Sequence, residues 1–367
     1  MTEKRKARIL TSYYRPKPGG YCTRLFRGIA ALLKAGNEVH YLSVSPFPIS
    51  HPNCHFHRFP WFIENTDTLL FWALFHIFSP FQLLYLGFRY HITHAFAFGT
   101  NYGFTLQLLR LLKKIPTALF LRGDGIKIHR INGKGSWLIR LDTIIEGFAI
   151  HGVYLYGVSD NLIKRVINRH HWARPRHIQI LRNDIQPTVY NNTRELSTPL
   201  HVGCVGILEK RKNQSLLLGA MQDLPTEKIH LHLYGTGPQE ATLRKLSYSI
   251  NVYNKVTFHG WVDSNIIWKQ IDLLVFPSLH EGSPNAVLEA LANKVPIMAS
   301  DIPEHAEILP RSCLLSPNDD KAWAEALQKL LLNPRQSLAL LSKEQSEFSE
   351  SLFFDWNAWF VESVIVQ

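Results

Sequence analysis

The stretch HEGSPNAVLEALANKVPIMASD, residues 280–301, predicts a loop, a helix and a buried strand in succession. Ser283 is the predicted N-cap. Pro284 is the predicted first helical residue, where its fixed φ suits the helix and its missing N–H costs nothing. The helix is expected over residues 285–293, and the apolar run at residues 295–299 predicts a strand. A strand–loop–helix–strand unit of this kind indicates an α/β protein with parallel sheets.

Two carboxylates lie around this helix start. Glu281 is in the loop before the helix. Glu289 lies within the helix, about 7–8 Å along its axis from the helix start at ~1.5 Å per residue. The free N–H groups and the positive dipole end of a helix favour an anion such as a diphosphate. The spacing of the carboxylates matches the reach from a diphosphate to the ribose of a nucleotide. The alternative interpretation is a capped surface helix with two solvated glutamates.

The composition places the chain among globular proteins with a large core. It has 367 residues, of which 46% are hydrophobic and 19% charged, which excludes a disordered chain and favours two α/β domains. Four scattered cysteines without metal-binding spacing fit a reduced cytosolic protein. The N-terminal apolar run predicts a first strand, and it is too short for a signal peptide.

Short apolar runs alternate with helix-length segments along the whole chain, and they form two successive sets. The predicted strands are residues 7–14, 38–44, 94–98, 117–121, 152–158 and 178–181, and then 201–207, 229–234, 256–258, 273–276, 295–299 and 313–315. A polar stretch at residues 186–198 separates the sets. The sequence therefore predicts two doubly wound Rossmann-like domains with a boundary near residue 186.

Charge is spread unevenly between the two halves. Residues 1–185 carry 25 Lys and Arg against 9 Asp and Glu, whereas residues 186–367 carry 15 against 20. A basic first half suggests an anionic partner for that half.

The aromatic segment at residues 56–90 interrupts the α/β alternation, and its run at 69–88 approaches the length of a membrane span, about 20 residues. Pro80 is expected to break that run into two short helices. Three interpretations remain open: core helices, an interfacial contact with anionic lipid, and a membrane span.

Three loops after predicted strands have features of phosphate-binding loops. Gly19-Gly20 precedes the first helix, and glycines there let a backbone approach a phosphate closely. The segment that begins at Gly206 and ends with Lys210-Arg211-Lys212-Asn213 follows the first strand of the second set. Gly235-Thr236-Gly237 follows the next strand. Each loop alone is compatible with a tight turn or a solvated basic loop.

Taken in order, these motifs resemble glycosyltransferase family 4, the retaining nucleotide-sugar transferases of GT-B fold. The resemblance spans almost the whole chain, and its specific part is the E-x7-E pattern of Glu281 and Glu289 with an apolar helix. It implies two Rossmann-like domains facing across a cleft. Residues 1–186 would form the acceptor and membrane-side domain, residues 187–351 the donor domain, and a last helix at 352–367 would pack back on the first domain.

The resemblance also implies roles for matched residues. Glu289 would bind the ribose hydroxyls, Lys212 would hold the diphosphate, and Glu281 would lie beside the transferred sugar as a positioning and electrostatic group. The implied donor-binding set is Gly19, Gly20, Gly206, Arg211, Lys212, Gly282, Ser283, Pro284, Asn285, Ala286 and Glu289. No metal and no other cofactor is expected, because cations and helix dipoles would neutralise the diphosphate.

Two positions depart from the family pattern. Ile207 stands where the family often has arginine, so that one phosphate-binding cation is either missing or replaced by Lys210 or Arg211. Asp124 lacks the preceding histidine of the family, although it remains a candidate catalytic residue facing the sugar or the acceptor.

The leading hypothesis is transfer of a sugar from a nucleotide diphosphate to a glycan or a polyprenyl- or lipid-linked glycan, in cell-surface polysaccharide synthesis. The expected location is the cytoplasmic face of an anionic membrane, as a peripheral protein. A nucleotide-sugar epimerase of the same fold is one alternative. A non-catalytic basic protein that binds membrane or nucleic acid is another, although the ordered phosphate loops argue against a nucleic-acid partner.

Overall fold

The computed structural model describes residues 6–14, 20–60, 63, 65–131, 133–185, 196–352 and 354–365. The chain divides into two compact units. The first comprises Met1–Arg182 with Asp355–Gln367, and the second comprises Asn183–Phe354. These junctions lie within four residues of the domain boundaries expected from the sequence.

The first unit is built on a parallel seven-stranded sheet with the order β3-β2-β1-β4-β5-β6-β7. Its strands are β1 (Arg8–Ser12), β2 (Glu38–Ser43), β3 (Cys54–Arg58), β4 (His94–Phe98), β5 (Thr117–Leu121), β6 (Tyr154–Gly157) and β7 (His177–Ile180). Its helices before the junction are α1 (Gly20–Lys34), α2 (Leu69–Arg89), α3 (Thr100–Lys113), α4 (Gly125–Ile131), α5 (Ser136–Ile150) and α6 (Asp160–Arg169). The central strands are buried on both faces, as their continuous apolar sequences require.

The second unit is built on a parallel six-stranded sheet with the order β10-β9-β8-β11-β12-β13. Its strands are β8 (Leu200–Val205), β9 (Ile229–Tyr234), β10 (Val256–Gly260), β11 (Leu273–Phe276), β12 (Ile297–Ser300) and β13 (Leu314–Leu315). Its helices are α7 (Gln214–Ala220), α8 (Glu240–Ser249), α9 (Ser264–Ile267), α10 (Asn285–Ala292), α11 (Pro303–Ala306), α12 (Asp320–Leu332) and α13 (Pro334–Ser349). One apolar cluster gathers around the fully buried Trp323 and a second around α10.

The last helix, α14 (Trp356–Ile365), packs within the first unit against α1, β4 and β5. Phe360 is fully buried and lies edge-on to Phe96, with ring centroids 5.4 Å apart. A Cβ atom at Gly28 of α1 would come within 2.6 Å of the Phe360 ring. Glycine at this position therefore lets α1 and α14 approach closely, and a side chain there would displace α14.

Each of the twelve predicted strands overlaps an observed strand, and the α/β class with two parallel sheets is confirmed. Strand β3 is not predicted from the sequence, because its residues, Cys-His-Phe-His-Arg, lack the apolar run that marks a buried strand. β3 lies at the edge of the sheet, where one side of the strand has no neighbour and polar side chains are tolerated.

The expectation that Pro80 breaks the aromatic segment is wrong, because α2 is one helix with Pro80 inside it. Interior proline costs about 3 kcal/mol. Burial of Phe71 and Phe75 before it and Leu83 and Leu86 after it outweighs that cost, at roughly 1.5–3 kcal/mol for each side chain. Within the described residues, α2 is the one helix long and apolar enough to cross a membrane. It packs against α3 with its buried face.

Candidate functional site

The candidate site lies at the carboxyl ends of β8, β9 and β11 in the second unit. The segment from Gly206 to Asn213 follows β8, the Gly235 turn follows β9, and the loop with Glu281 follows β11. Because all three strands are parallel, their carboxyl ends meet at one edge of the sheet, where open α/β sheets bind ligands.

Glu281 forms a buried ion pair with Lys212 at this edge. Its side chain is 5% exposed, and Lys212 Nζ lies 2.7 Å from Glu281 Oε1. Arg211 Nη1 lies 3.1 Å from the other oxygen, Oε2. The structure thus brings Glu281 together with Arg211 and Lys212, which precede it by some seventy positions in the sequence.

The environment of Glu281 keeps it ionised. Burial would raise the pKa of this carboxyl, but the charges of Lys212 and Arg211 outweigh burial and lower the pKa to about 2. A buried carboxylate held this strongly by its cations is a fixed negative charge at any physiological pH.

Lys212 is held in place by its surroundings as well as by Glu281. It ends a short 3-10 helix, Lys210–Lys212, and its Nζ lies 4.5 Å from the centre of the Phe276 ring. A Cβ atom at Gly206 would lie 3.6 Å from the same Nζ. An ammonium group has three donors, and it here lies directly beneath a loop that carries no side chain at Gly206.

Arg211 and Lys210 are the two cations that could supply the charge missing at Ile207. Arg211 Nε lies 2.7 Å from Glu209 Oε1, and its Nη1 donates to the backbone oxygen of His280 at 3.2 Å. Arg211 is thus held by two carboxylates, whereas Lys210 is solvent-exposed. Ile207 itself is 54% exposed.

The start of α10 differs by one residue from the prediction. Pro284 is the N-cap, with ψ of 85°, and Asn285 is the first helical residue. The carbonyl of Pro284 accepts the N–H groups of Val287 and Leu288, which places Pro284 half inside the helix. Ser283 is therefore not the cap, and no side chain caps α10.

The Ser283 and Asn285 side chains are instead bridged by Asn183. The Asn183 Nδ2 donates to Ser283 Oγ and to Asn285 Oδ1, each at 2.7 Å. Asn183 is 1% exposed. The sequence analysis did not assign Asn183 to the site, although its position just after the last strand of the first set was the available signal.

The glycine loops pack against one another without room for side chains. Gly235 has φ of +129°, and a Cβ atom there would lie 2.0 Å from the backbone oxygen of Gly206. A Cβ atom at Gly237 would lie 2.4 Å from the backbone oxygen of Leu208. The loops after β8 and β9 thus form one continuous backbone surface beside Lys212.

The remaining predicted donor-binding residues of the second unit lie on the same loop and helix. Gly282 and Ala286 are partly exposed on either side of Pro284. Glu289 lies in the second turn of α10, is partly exposed and takes no part in the ion pairs of Glu281. The two glutamates therefore differ: one is a buried ion-pair partner, and the other lies at the surface of the helix.

The first unit holds the other predicted residues. Gly19 lies outside the described residues, and Gly20 is the first residue of α1. Asp124 has no exposed surface.

Asp124 has partners on both of its oxygens. It precedes α4, and its Oδ1 accepts the N–H of Lys127 at 3.0 Å, as an N-cap does. Arg169 Nη2 lies 2.9 and 2.8 Å from its two oxygens, and Arg165 Nε lies 3.4 Å away. Burial would raise the pKa of Asp124, but the Lys127 N–H and the charge of Arg169 lower it overall. This geometry favours a structural role over the expected catalytic one.

Part of the chain is similar to known glycosyltransferases. The family model described as glycosyl transferases group 1 matches residues 199–333, which include Arg211, Lys212 and Glu281 but not Asn183. The O-antigen chain mannosyltransferase RfbU of Salmonella typhimurium is 23% identical over 221 residues, covering 53% of this chain and 62% of its own. The lipopolysaccharide core mannosyltransferase LpcC of Rhizobium leguminosarum is 25% identical over 63% of this chain and 66% of its own.

These matches are partial. The chain spans 62%, 38% and 32% of the lengths of RfbU, of the Staphylococcus aureus protein CapJ and of the Rhizobium meliloti glycosyltransferase LpsE.

Solved structures match over nearly the whole chain. Sucrose-phosphate synthase from Thermosynechococcus elongatus superposes with a TM-score of 0.77 at 19% identity, covering 97% of each chain. Anabaena HepE in complex with UDP-glucose superposes with a TM-score of 0.74 at 14% identity, covering 97% of this chain and 98% of its own. At this identity the likeness concerns the fold, and it confirms the GT-B fold class.

Proposed function

We propose that this chain, whose residues 199–333 belong to the group 1 glycosyl transferases, moves a sugar from a nucleoside diphosphate to a glycan or lipid-linked glycan. The proposed setting is the synthesis of a cell-surface polysaccharide. RfbU and LpcC, which are named for O-antigen and lipopolysaccharide core synthesis, support that setting.

One observation carries the proposal: a buried Lys212–Glu281 pair beside glycine loops at the carboxyl edge of the sheet. A buried ion pair is a costly way to stabilise a fold. Here it holds an ammonium group next to a backbone that a phosphate can approach closely. The start of α10, which has no side-chain cap, adds backbone N–H groups and a positive dipole end nearby.

We propose the following roles for the site residues, supported for Lys212 and Glu281 by these contacts and for the others by the resemblance of their motifs. Lys212 would stabilise the diphosphate as negative charge develops on it, with the donors that Glu281 leaves available. Glu281 would hold Lys212 in position and stay ionised throughout. Glu289, on the surface of α10, would bind the ribose hydroxyls, and backbone groups at residues 282–286 would bind the diphosphate and the sugar.

The proposed reaction retains the configuration of the sugar. The bond between C1 and the diphosphate oxygen breaks while the acceptor oxygen bonds to C1 from the same face. The acceptor proton passes to the departing phosphate. No protein nucleophile is required, and the charges of Lys212 and the helix dipole would replace a divalent metal. Retention is tested by NMR of the product anomer, and metal independence by turnover in EDTA.

The acceptor side is proposed for the first unit, at the cytoplasmic face of an anionic membrane. Its half of the chain is strongly basic. Helix α2 exposes a row of large apolar side chains, namely Leu70, Ile77, Phe78, Phe81, Tyr85 and Phe88, of which Phe81 and Tyr85 are each 63% exposed. An aromatic surface on a basic unit suits the headgroup layer of anionic lipid.

Vesicle binding tests the membrane proposal. The protein should bind vesicles with anionic lipid at low salt, and Phe81→Glu should weaken that binding at least tenfold. The control is Leu332→Glu, which places the same charge on a 78% exposed leucine in the second unit. Equal binding by wild type and Phe81→Glu would contradict a role for α2.

A donor screen tests the proposed activity. The protein is incubated with UDP- and GDP-sugars, and thermal stabilisation, hydrolysis and transfer to lipid-linked acceptors are measured. Stabilisation by one donor with slow hydrolysis supports a transferase. Conversion of a donor to its epimer would favour the epimerase alternative. No response to any nucleotide sugar would favour a non-catalytic binding protein.

A further inference from the structure

Histidines cluster on one face of the first sheet, at its β2–β3 edge. Glu38 and His40 are two residues apart on β2, and His55 and His57 are two residues apart on β3. The register pairs His40 with His55. Because side chains two apart on a strand share a face, all four lie on the same side of the sheet. We call these four residues the histidine patch.

Three ligand atoms of the histidine patch lie close together. His40 Nε2 lies 3.1 Å from Glu38 Oε1, and His55 Nε2 lies 3.3 Å from the same oxygen. The three atoms all lie within 4.8 Å of one another. Ligand atoms on a tetrahedral zinc ion, with bonds of 2.0–2.1 Å, are about 3.3 Å apart. The oxygen-to-nitrogen separations are therefore already those of a zinc site.

The structure assigns a divalent transition-metal site to the histidine patch, with Glu38, His40 and His55 as ligands of a zinc-like ion. Two imidazoles and one carboxylate form a donor set that suits Zn²⁺ and that binds Cu²⁺ and Ni²⁺ as well. The side chain of His55 is 40% exposed, so that water can supply a fourth ligand. The His40 side chain is 1% exposed, which fixes its ring inside the site.

Outer contacts orient the two ligands of β2. His40 Nδ1 lies 3.0 Å from His57 Nε2. With a metal on Nε2 of His40, its Nδ1–H donates to His57, the second contact that metal-bound histidines make. Arg8 Nε lies 3.3 Å from Glu38 Oε2, which leaves Oε1 to bind the ion. The ring of Tyr90 lies 4.6 Å from that of His40 and covers it.

The position of the histidine patch indicates a structural or regulatory role. Glu38 is the first residue of β2 and pairs with Arg8, the first residue of β1. The three proposed ligands Glu38, His40 and His55 therefore lie in the amino-terminal halves of their strands, whereas ligands of open α/β sheets bind at the carboxyl ends. A metal ion there would tie the edge strand β3 to β2 and would stabilise the first unit without taking part in sugar transfer.

A second histidine row provides an internal control. His201, His232 and His259 lie on three adjacent strands of the second sheet, and His232 nitrogens lie 2.8 and 2.9 Å from those of the other two. His232 turns its Nε2 to His201 and its Nδ1 to His259, so that no single ring nitrogen of His232 lies beside both neighbours and the row does not bring three ligand atoms to one point. We therefore assign the metal to the histidine patch and not to this row.

The experiment is titration of the chelator-stripped full chain with Zn²⁺ alone. Binding is measured by isothermal titration calorimetry, and stability by the melting temperature with and without Zn²⁺. Wild type should bind one Zn²⁺ per chain and melt at a higher temperature when zinc is added. His55→Gln and Glu38→Gln should each weaken binding at least a hundredfold and abolish the zinc-dependent rise. His57→Gln should weaken it about tenfold. His232→Gln should bind as wild type does.

If other variants fold poorly, His55→Gln is the decisive variant. His55 is half-exposed on an edge strand, so that its substitution should leave the fold intact. Its circular dichroism without metal should equal that of wild type. Co²⁺ provides a second readout, since a tetrahedral site gives a visible absorption band that His55→Gln should lose. Three results would each overturn the proposal: unchanged zinc binding in His55→Gln, loss of zinc binding in His232→Gln, or no zinc binding by wild type at about 100 µM. A site built by the fold should bind zinc more tightly than that concentration.

Discussion

Asp124 in the first unit and Glu281 in the second are both buried carboxylates that lie beside two cationic side chains. Both follow a parallel strand by a few residues, and both have a lowered pKa. They differ in what surrounds them. Asp124 caps a helix and binds Arg169 through both oxygens. Glu281 binds Lys212, whose ammonium group lies next to Gly206, a loop residue that has no side chain.

This difference separates a structural ion pair from a candidate site. The network of Asp124 continues inward, because Arg169 also binds Glu146, and Glu146 binds His170. Glu146 and His170 are each 3% exposed, so that this branch of the network ends inside the unit. The network of Glu281 ends instead beside the backbone of Gly206, which carries no side chain. A buried charge is thus not evidence of function by itself, and the surface that its partner faces decides the interpretation.

The largest expected effect comes from Lys212→Ala. Loss of the ammonium leaves Glu281 buried with Arg211 alone, and removing one partner of a buried pair costs about 3–5 kcal/mol. It should also lower kcat/KM for the donor by about 10²–10³-fold, the usual effect of losing one charge-stabilising donor. The measurements are urea unfolding and donor turnover. Lys245→Ala, an exposed lysine of the same unit, should change neither.

Arg169→Ala tests the other side of the comparison. It should destabilise the protein by a similar amount, about 3–5 kcal/mol, because Asp124 and Glu146 both lose a partner. The kcat/KM of the protein that remains folded, measured well below its unfolding temperature, should stay within about threefold of wild type. A hundredfold loss in that folded protein would return Asp124 to a catalytic role.

The pH dependence of the unfolding free energy tests the ion pair of Glu281 with Lys212. Its pKa falls from 4.5 to about 2 on folding. The stability it contributes, roughly 3 kcal/mol at 1.36 kcal/mol per unit, is therefore present above pH 4.5 and lost as the pH falls towards 2. The difference in unfolding free energy between wild type and Lys212→Met should narrow over that range. Unfolding titrations from pH 6 to pH 3 measure it, and a constant difference would contradict the ion pair.

Asn183→Ala should have the smallest effect of the four. It removes two hydrogen bonds to the side chains at the start of α10, which costs about 1–2 kcal/mol. Donor affinity should fall about tenfold through misplacement of Ser283 and Asn285, with little change in kcat. Asn183→Asp keeps the size but reverses the hydrogen-bonding character, and it should not restore affinity. Unchanged affinity in both variants would remove Asn183 from the site.

The sequence predicted the sheets and the strand ends well, because buried parallel strands are continuous apolar runs and their order along the chain sets where loops meet. That logic brought Gly206, Lys212 and Glu281 to one edge. It could not find β3, whose polar residues suit an edge strand. It could not distinguish a capping Asp124 from a catalytic one, since both follow a strand. Nor could it place Asn183 beside Ser283, a contact across 100 positions.

The most direct test of the account compares a nucleoside diphosphate with its nucleoside. The pair is chosen by the base that the donor screen identifies, and each dissociation constant is measured by calorimetry for wild type and Lys212→Ala. The account predicts that Lys212→Ala weakens binding of the diphosphate at least tenfold more than binding of the nucleoside. Equal losses for both ligands would contradict the assignment of Lys212 and its buried pair to the diphosphate.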